Sequence, residues 1–328
     1  MKEFILHKQG DAKSLKLEKM SGEFILKKND VLIKQTAIGV NYFDIHFRNG
    51  DYTVNQMPAV LGLEACGVVE AVGPGVIDFK VGRRVAYATG PIGAYTPKRV
   101  MKQHLLVNVP AEISDVVAAG SLLKGLMAHT LLYRVFLAVR AKKILVHAAA
   151  GGVGQFVCAW AKDLGLEVIG TVGDDKKIAA AKKAGCDHVI NYQTNDFLKE
   201  VENITQGQGV GLVYDGVGKD TLIKSIGCLW PMGLCVSYGE ASGKIPPLDI
   251  NHLLLNSLYL TKPTLALYKA NRVELALGAA EVFGKIKKGA IKPQITTHRF
   301  EDLPQVHEQM EKRLTTGSQV LVFDSKKK

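Results

Sequence analysis

The sequence predicts a two-domain α/β protein, a compact β-rich domain joined to an open, doubly wound sheet of parallel strands. Three observations predict it. Residues 144–238 alternate between strand-like runs and runs with the three-to-four spacing of helices, the mark of βαβ units. One strand-to-helix junction, residues 148–154, is a run of small residues rich in glycine. Residues 1–123 instead carry short alternating runs broken by Gly and Pro, the texture of a Greek-key or barrel-like β domain. A length of 328 residues suits two domains on a prior of roughly 100–200 residues each.

In the first domain, strands are expected at residues 31–38, 65–72 and 84–87. Turns punctuate them at Gly73-Pro74-Gly75, Gly82, Gly90-Pro91, Pro97 and Pro110. Two stretches look chemical. Residues 39–52 hold Asn41, Tyr42, Asp44, His46, Arg48 and Tyr52 between strand-like segments, and residues 61–69 hold Glu64 and Cys66.

In the second, residues 144–147 read as a strand, and the segment behind it repeats Val153, Val157, Trp160, Ala161 and Leu164 at helical spacing. Between them, Ala149-Ala150-Gly151-Gly152-Val153-Gly154 stands where G-x-G-x-x-G is usual, with alanine first. Gly151 lets the backbone approach a phosphate, and Gly154 lets the helix pack against the strand. Backbone N–H groups and the helix dipole then suit a pyrophosphate. A glycine-rich turn of another α/β protein would look the same, and it is the alternation that follows which separates the two. Strands are expected at 167–173, 187–192, 210–214 and 234–238, and helices at 176–184, 196–205 and 220–229, with Gly185 closing the first of these helices. Further on come a helix at 268–288 ended by Gly289, a strand at 295–300, a helix at 303–312 and a strand at 319–323.

Composition narrows the function classes. Apolar residues make up 47%, enough for ordinary cores. No uninterrupted apolar run reaches the roughly 18 residues needed to span a bilayer, and the N-terminus lacks a signal-peptide core, so no membrane partner is expected. The five cysteines, Cys66, Cys158, Cys186, Cys228 and Cys235, show no pairing pattern and read as reduced thiols of a cytoplasmic protein. The net charge of +11 is spread over scattered lysines, without a basic stripe interleaved with aromatics, so nucleic acid is not an expected partner. Lys326-Lys327-Lys328 read as a frayed tail.

The motifs together carry a resemblance. They are G-x-N-x-x-D-x-x-x-R-x-G (Gly39 to Gly50), L-G-x-E-x-x-G-x-V (Leu61 to Val69), G-x-R-V (Gly82 to Val85), L-L-K-G-L (Leu122 to Leu126) and A-A-x-G-G-V-G (Ala148 to Gly154). In this order and spacing the chain resembles the medium-chain dehydrogenase/reductase superfamily, and within it the zinc-free quinone oxidoreductase branch, the relatives of ζ-crystallin. The resemblance covers essentially the whole chain. It implies a GroES-like catalytic domain of residues 1–124 and 266–328, the last segment returning to it, and a Rossmann domain of residues 125–265. It also implies NADPH in a cleft between them, and a homodimer, often built by joining Rossmann sheets edge to edge.

Zinc-dependent members of the superfamily commonly place Cys where this chain has Asn41 and His where it has Leu63, and neither residue here can replace those zinc ligands. No metal is expected; Cys66, His46 and Glu64 are the remaining donors, with Cys66 read as a small buried hydrophobe. Without a Lewis acid the chemistry suits hydride addition to an acceptor that is already electrophilic, a quinone or a conjugated carbonyl. Asn41, Tyr42, Asp44, His46 and Tyr52 are the candidates to line that site, with Tyr52 first for contact with the acceptor. A reduced quinone takes protons from water, so no acid–base catalyst is named.

The resemblance carries further positions for the nucleotide. Asn41 and Thr130 join Gly151, Gly152, Val153 and Gly154. Gly173 stands where NAD enzymes place an acidic residue, and its missing side chain leaves room for a 2′-phosphate. Lys177, with Lys176 beside it, matches the phosphate-binding lysine, and Tyr192 the adenine-side tyrosine. Val217, Tyr238, Gly239, Ala241, Pro263, Thr264 and Leu265 match segments under the nicotinamide half, and Arg313 a late arginine that reaches the cofactor. Asp174 and Asp175 depart from the pattern, since their charges would repel a phosphate they faced. Leu63 and Met127 stand where Thr is usual and make the pocket more apolar.

Two other readings compete. An NADPH-dependent alkenal or enone reductase of the same superfamily shares these residues. A crystallin-like or AU-rich RNA-binding protein could keep the fold, although the intact turn at Gly151–Gly154 speaks for retained nucleotide binding. A steep salt dependence of filter binding would mark the RNA reading.

Overall fold

The computed structural model describes residues 1–323, so the expectation for Lys326-Lys327-Lys328 falls outside the described residues. The chain divides into two compact units. The first comprises residues 1–123, 269–287 and 293 onward, and the second comprises residues 124–268 and 288–292.

The first unit opens with a hairpin of β1 (Lys2–Leu6) and β2 (Leu15–Lys19). β3 (Asp30–Val40) leads into α1 (Tyr42–Asn49), which is followed by β4 (Glu64–Val72), β5 (Arg84–Tyr87), β6 (Lys98–Lys102) and β7 (Val107–Asn108). Residues 39–52, with no period of their own in the sequence, thus contain a helix. Asn41 precedes it, and the Asp44 carboxylate accepts the Asn41 N–H at 2.9 Å, which supplies an N-terminal cap. Gly50, at φ 95°, closes it. α2 (Asp115–His129) follows, and the unit boundary falls inside it. Residues 115–135, α2 with a π-helical turn added, are long and apolar enough to cross a membrane, but they are mostly buried inside the protein and form a core helix.

The second unit holds β8 (Lys143–Val146), α3 (Gly152–Asp163), β9 (Glu167–Val172), α4 (Ile178–Lys183), β10 (His188–Asn191), α5 (Phe197–Thr205), β11 (Val210–Asp215), α6 (Leu222–Gly227), β12 (Leu229–Ser237) and β13 (Tyr259–Thr261). Its six strands are all parallel, in the order β10-β9-β8-β11-β12-β13. β8 and β11 are almost wholly buried, as strands covered on both faces must be. The order reverses beside β8, so a crevice opens at the carboxyl end of that strand. α7 (Leu265–Tyr268) closes the unit.

α8 (Arg272–Lys287) then returns to the first unit, with β14 (Ile295–Arg299), α9 (Leu303–Glu311) and β15 (Ser318–Val322). β15 runs antiparallel against β3, giving the sheet order β14-β15-β3-β4-β5-β7, with β6 also paired to β3. Phe300, Leu303, Val306 and Leu321 enter one core with Phe4, Leu6, Ile33 and Tyr87.

Three sequence expectations shift. α8 starts at Arg272 rather than 268, because the Asn271 side chain takes the Val273 N–H at 2.7 Å and caps the helix there. β12 starts at Leu229, where a helix was expected to end. Pairing begins at Val210 with Leu229, slips between Val210 and Leu212, and resumes at Leu234. The short edge strand β13 carries no alternation long enough to announce it.

Candidate active site

The turn from β8 into α3 is tight. Ala148 sits at φ 52°, a left-handed conformation uncommon for a residue with a side chain. Its carbonyl accepts the Gly151 N–H at 2.8 Å. A Cβ on Gly154 would stand 2.2 Å from the Ala148 oxygen and 2.9 Å from the Ala149 Cα, so only glycine lets α3 come this close to the strand end. Gly151 precedes the helix, and Gly152, Val153 and Gly154 form its first turn, whose N–H groups have no intrahelical acceptor. The turn opens at the sheet's reversal point, and the residues present fit a dinucleotide pyrophosphate.

At the end of β9, a Cβ on Gly173 would stand 3.0 Å from the Tyr192 hydroxyl, which therefore borders the space that a side chain would fill. Further along the chain, Lys177 is half-buried and Lys176 is exposed. Asp174 and Asp175 are turned to local work. The Asp174 carboxylate accepts the Lys176 N–H at 2.9 Å, and that of Asp175 accepts the Asn191 amide at 2.8 Å.

The turn after β11 is shaped by a carboxylate. Asp215 accepts the N–H groups of Val217 and Gly218, both at 2.9 Å, and the hydroxyls of Thr221 and Ser225 at 2.8 Å. Ser225 also meets His147 Nε2 at 2.9 Å, while His147 Nδ1 meets the Thr171 hydroxyl at 2.8 Å. Burial pushes the His147 imidazole below its usual range against the opposing pull of Asp215. This wholly buried network fixes Val217, and sequence reasoning missed it. His147, Thr171, Asp215, Thr221 and Ser225 come from the ends of three strands and from a helix, and no spacing announces them. Tyr238, Gly239 and Ala241 continue the same edge, with the Tyr238 N–H on the Asp215 carbonyl at 2.8 Å. Pro263 and Thr264 follow β13, and Leu265 opens α7. Thr130 is fully buried, and its hydroxyl donates to the Leu126 carbonyl at 2.8 Å.

In the first unit, Asn41 and Asp44 are buried. The Asn41 amide donates to Glu64 Oε2 at 3.1 Å, and Glu64 Oε1 accepts the Leu123 N–H at 2.7 Å. Asp44, besides capping α1, accepts the Tyr95 hydroxyl at 2.7 Å, so its carboxylate holds the helix rather than facing solvent. Tyr42, Phe43, His46, Phe47 and Tyr52 form an aromatic patch. Tyr52 lies 4.8 Å from Phe43 and 4.9 Å from His46, centroid to centroid. Phe43 is 45% exposed, which leaves the patch open on one side. Burial raises the Tyr42 hydroxyl above its ordinary range, with Arg313 opposing it. The buried Arg48 makes an ion pair with the exposed Glu311, which ties α1 to α9.

A cavity of about 320 Å³ along the outer face of α3 holds none of the predicted site residues.

An all-parallel sheet with a glycine turn at its reversal point, on a chain that also carries a β-rich unit, defines a nucleotide-binding two-unit enzyme. Residues 27–123 match the family model described as the alcohol dehydrogenase GroES-like domain, and residues 152–280 the one described as zinc-binding dehydrogenase. The chain is 42% identical to the 2-haloacrylate reductase of a Burkholderia species, over 89% of this chain and 90% of that protein. It is also 42% identical to a quinone oxidoreductase of Pseudomonas aeruginosa, over 89% and 91% of the two chains. The solved Escherichia coli quinone oxidoreductase complexed with NADPH superposes at TM-score 0.94, with 38% identity over 98% of this chain and all of that one, 100%. The chain belongs to the quinone oxidoreductase family of the medium-chain dehydrogenase/reductase superfamily and is an oxidoreductase.

The zinc in that family description finds no matching donor set here. The Asn41 amide is engaged by Glu64, and Leu63 has no donor atom. Burial, chiefly, keeps the Cys66 thiol protonated, and it points at Asp115 at 3.6 Å. Among the described residues no group of three or more His, Cys, Asp or Glu side chains converges as metal ligands.

Proposed function

We propose that this chain is an NADPH-dependent quinone reductase that works without a metal. The observation that carries the reading is the glycine turn at the reversal point of the parallel sheet, where Gly154 brings the start of α3 against the strand end. The likeness to a quinone oxidoreductase solved with NADPH supports the same cofactor. NADPH, when bound, supplies a hydride. The first turn of α3 holds the pyrophosphate, and Lys177 and Tyr192 hold the 2′-phosphate end. The turn fixed by Asp215 presents Val217 to the nicotinamide side. Tyr42, Phe43 and Tyr52 offer aromatic rings and two hydroxyls, suited to an unsaturated ring that gains negative charge.

Steady-state oxidation of NADPH with 1,4-benzoquinone and 9,10-phenanthrenequinone tests this. No consumption of NADPH with either quinone would reject the reading, and equal kcat/KM for NADH and NADPH would reject the cofactor preference. A second reading, reduction of a conjugated double bond, draws on the 42% identity to a 2-haloacrylate reductase. Parallel assays with an enal separate the two.

We further propose a homodimer built on the free edge of β13. Tyr259 is exposed there, with Ile250, Leu254 and Leu255 exposed in the segment before it, an apolar edge that invites a second strand. The five free, buried thiols suit a reducing cytoplasm.

A further inference from the structure

The aromatic patch contains a paired acid. His46 Nδ1 lies 2.8 Å from Asp51 Oδ2. A carboxylate only accepts, so Nδ1 carries the proton of this bond and Nε2 is left for a second one. Nε2 has no hydrogen-bond partner among the described residues. The imidazole is otherwise tightly held, 4.9 Å from the Tyr52 ring and 5.3 Å from that of Tyr42. The loop that brings Asp51 back is pinned at both sides. Asn49 exchanges two bonds with Asp51, from its amide to the carboxylate at 2.8 Å and from the Asp51 N–H to its carbonyl at 3.0 Å. The Tyr52 N–H donates to the His46 carbonyl at 2.9 Å, and the Gln9 amide to the carbonyls of Phe47 and Tyr52, both at 2.8 Å. A quinone needs no such device, because its oxygens take protons from water.

We propose that His46, oriented by Asp51, is a proton donor to carbon, and that the chain therefore also reduces 2-substituted conjugated alkenes with control of the new stereocentre. This rests on the reading that NADPH binds and gives its hydride. The acceptor's β-carbon gains the hydride and its π bond opens to an enolate. His46 in its imidazolium form then gives the Nε2 proton to the α-carbon, forming the second C–H bond. The neutral ring keeps its Nδ1 proton on Asp51 and is recharged at Nε2 by a proton from solvent. Asp51 acts through His46 and is a positioning residue. The other charged or titratable groups around this patch are Tyr42, Tyr52, Arg48, Glu311 and Arg313.

The experiment compares the wild-type chain with His46→Gln and Asp51→Asn, using 1,4-benzoquinone, a 2-substituted enal and 2-chloroacrylate. NADPH binding is followed separately by nucleotide fluorescence. A general acid contributes roughly hundredfold or more. His46→Gln is expected to lower the alkene-to-quinone ratio of kcat about a hundredfold, and Asp51→Asn about tenfold. The 2-chloropropionate made by the wild type has one handedness, and that made by His46→Gln is racemic. An equal fall with all acceptors and retained handedness overturns the proposal, as does a wild type that reduces benzoquinone but neither alkene. Absent NADPH binding would instead defeat the underlying function.

Discussion

Lys177 follows Gly173 closely in the chain and is half-buried, whereas its neighbour Lys176 is exposed. A charge-assisted bond to a phosphate contributes about 1.5–3 kcal/mol. Lys177→Ala is therefore expected to lower kcat/KM for NADPH by roughly tenfold to a hundredfold and leave that for NADH little changed. An equal loss with both nucleotides would remove Lys177 from the phosphate. His307 makes a different prediction. It is wholly buried, meets the Tyr95 hydroxyl at 3.1 Å, and burial, aided by Arg48, holds its imidazole down to about 3. The ordinary value is 6.5, so below that pH the unfolded chain takes up a proton that the folded chain refuses. Stability present above 6.5 is thus lost as pH falls toward about 3, by up to about 1.4 kcal/mol per pH unit. Urea unfolding at about pH 7 and about pH 5 should show this loss in the wild type and a shallower one in His307→Gln. Gly154 was legible because its type answers a local backbone demand. His307, Tyr95 and Asp215 were not, since their partners lie far along the chain.

At the scale of elements, α1 shows how a site helix is fastened. The Asp44 carboxylate takes the Asn41 N–H and the Tyr95 hydroxyl inside the core, and Asn41 in turn reaches Glu64. Asp44→Ala would take this acceptor from the Asn41 N–H and leave the Tyr95 hydroxyl to His307 alone, at about 1–3 kcal/mol for the lost cap. We expect a lower melting temperature and a raised KM for quinone, as the aromatic face of α1 loses its fixed start. A melting temperature equal to that of the wild type would show that α1 does not depend on this cap. The parallel strands were readable because burial on both faces makes them apolar throughout. α1 was hidden because its inward face is Asp44, Ile45, His46 and Arg48, three of them polar, so hydrophobic periodicity has nothing to count. The early start of β12 was hidden as well, because Trp230-Pro231 interrupts the run and the pairing partner, Val210, sets the true beginning.

For the whole molecule, the decisive feature is that the chain's last strand sits beside its third. β15 pairs with β3, and Phe300, Leu303 and Val306 complete the core that Phe4 and Leu6 begin. A chain ended before Pro293 would expose the β3 edge and part of that core, so it is expected to be recovered as aggregate rather than as soluble protein. The proposed dimer gives a second test at this scale. A charge on the free edge of β13 opposes strand addition. Leu255→Glu combined with Tyr259→Lys should halve the mass seen by sedimentation, and an unchanged mass would move the interface elsewhere.

The sequence by itself determined the α/β class, the parallel unit, the tight glycine turn and the family, because each depends on residue type at short spacing. Gly154 must be glycine to let α3 reach its strand, and that demand is written within seven residues, from Ala148 to Gly154. Only the tertiary structure decided what the polar residues do. Asp44 became a buried anchor, Asp215 a brace for the turn at Val217, and Asp51 the partner of His46. A hydrogen bond needs two groups within about 3 Å, and which groups meet is fixed by how the chain folds back on itself, not by their order along it.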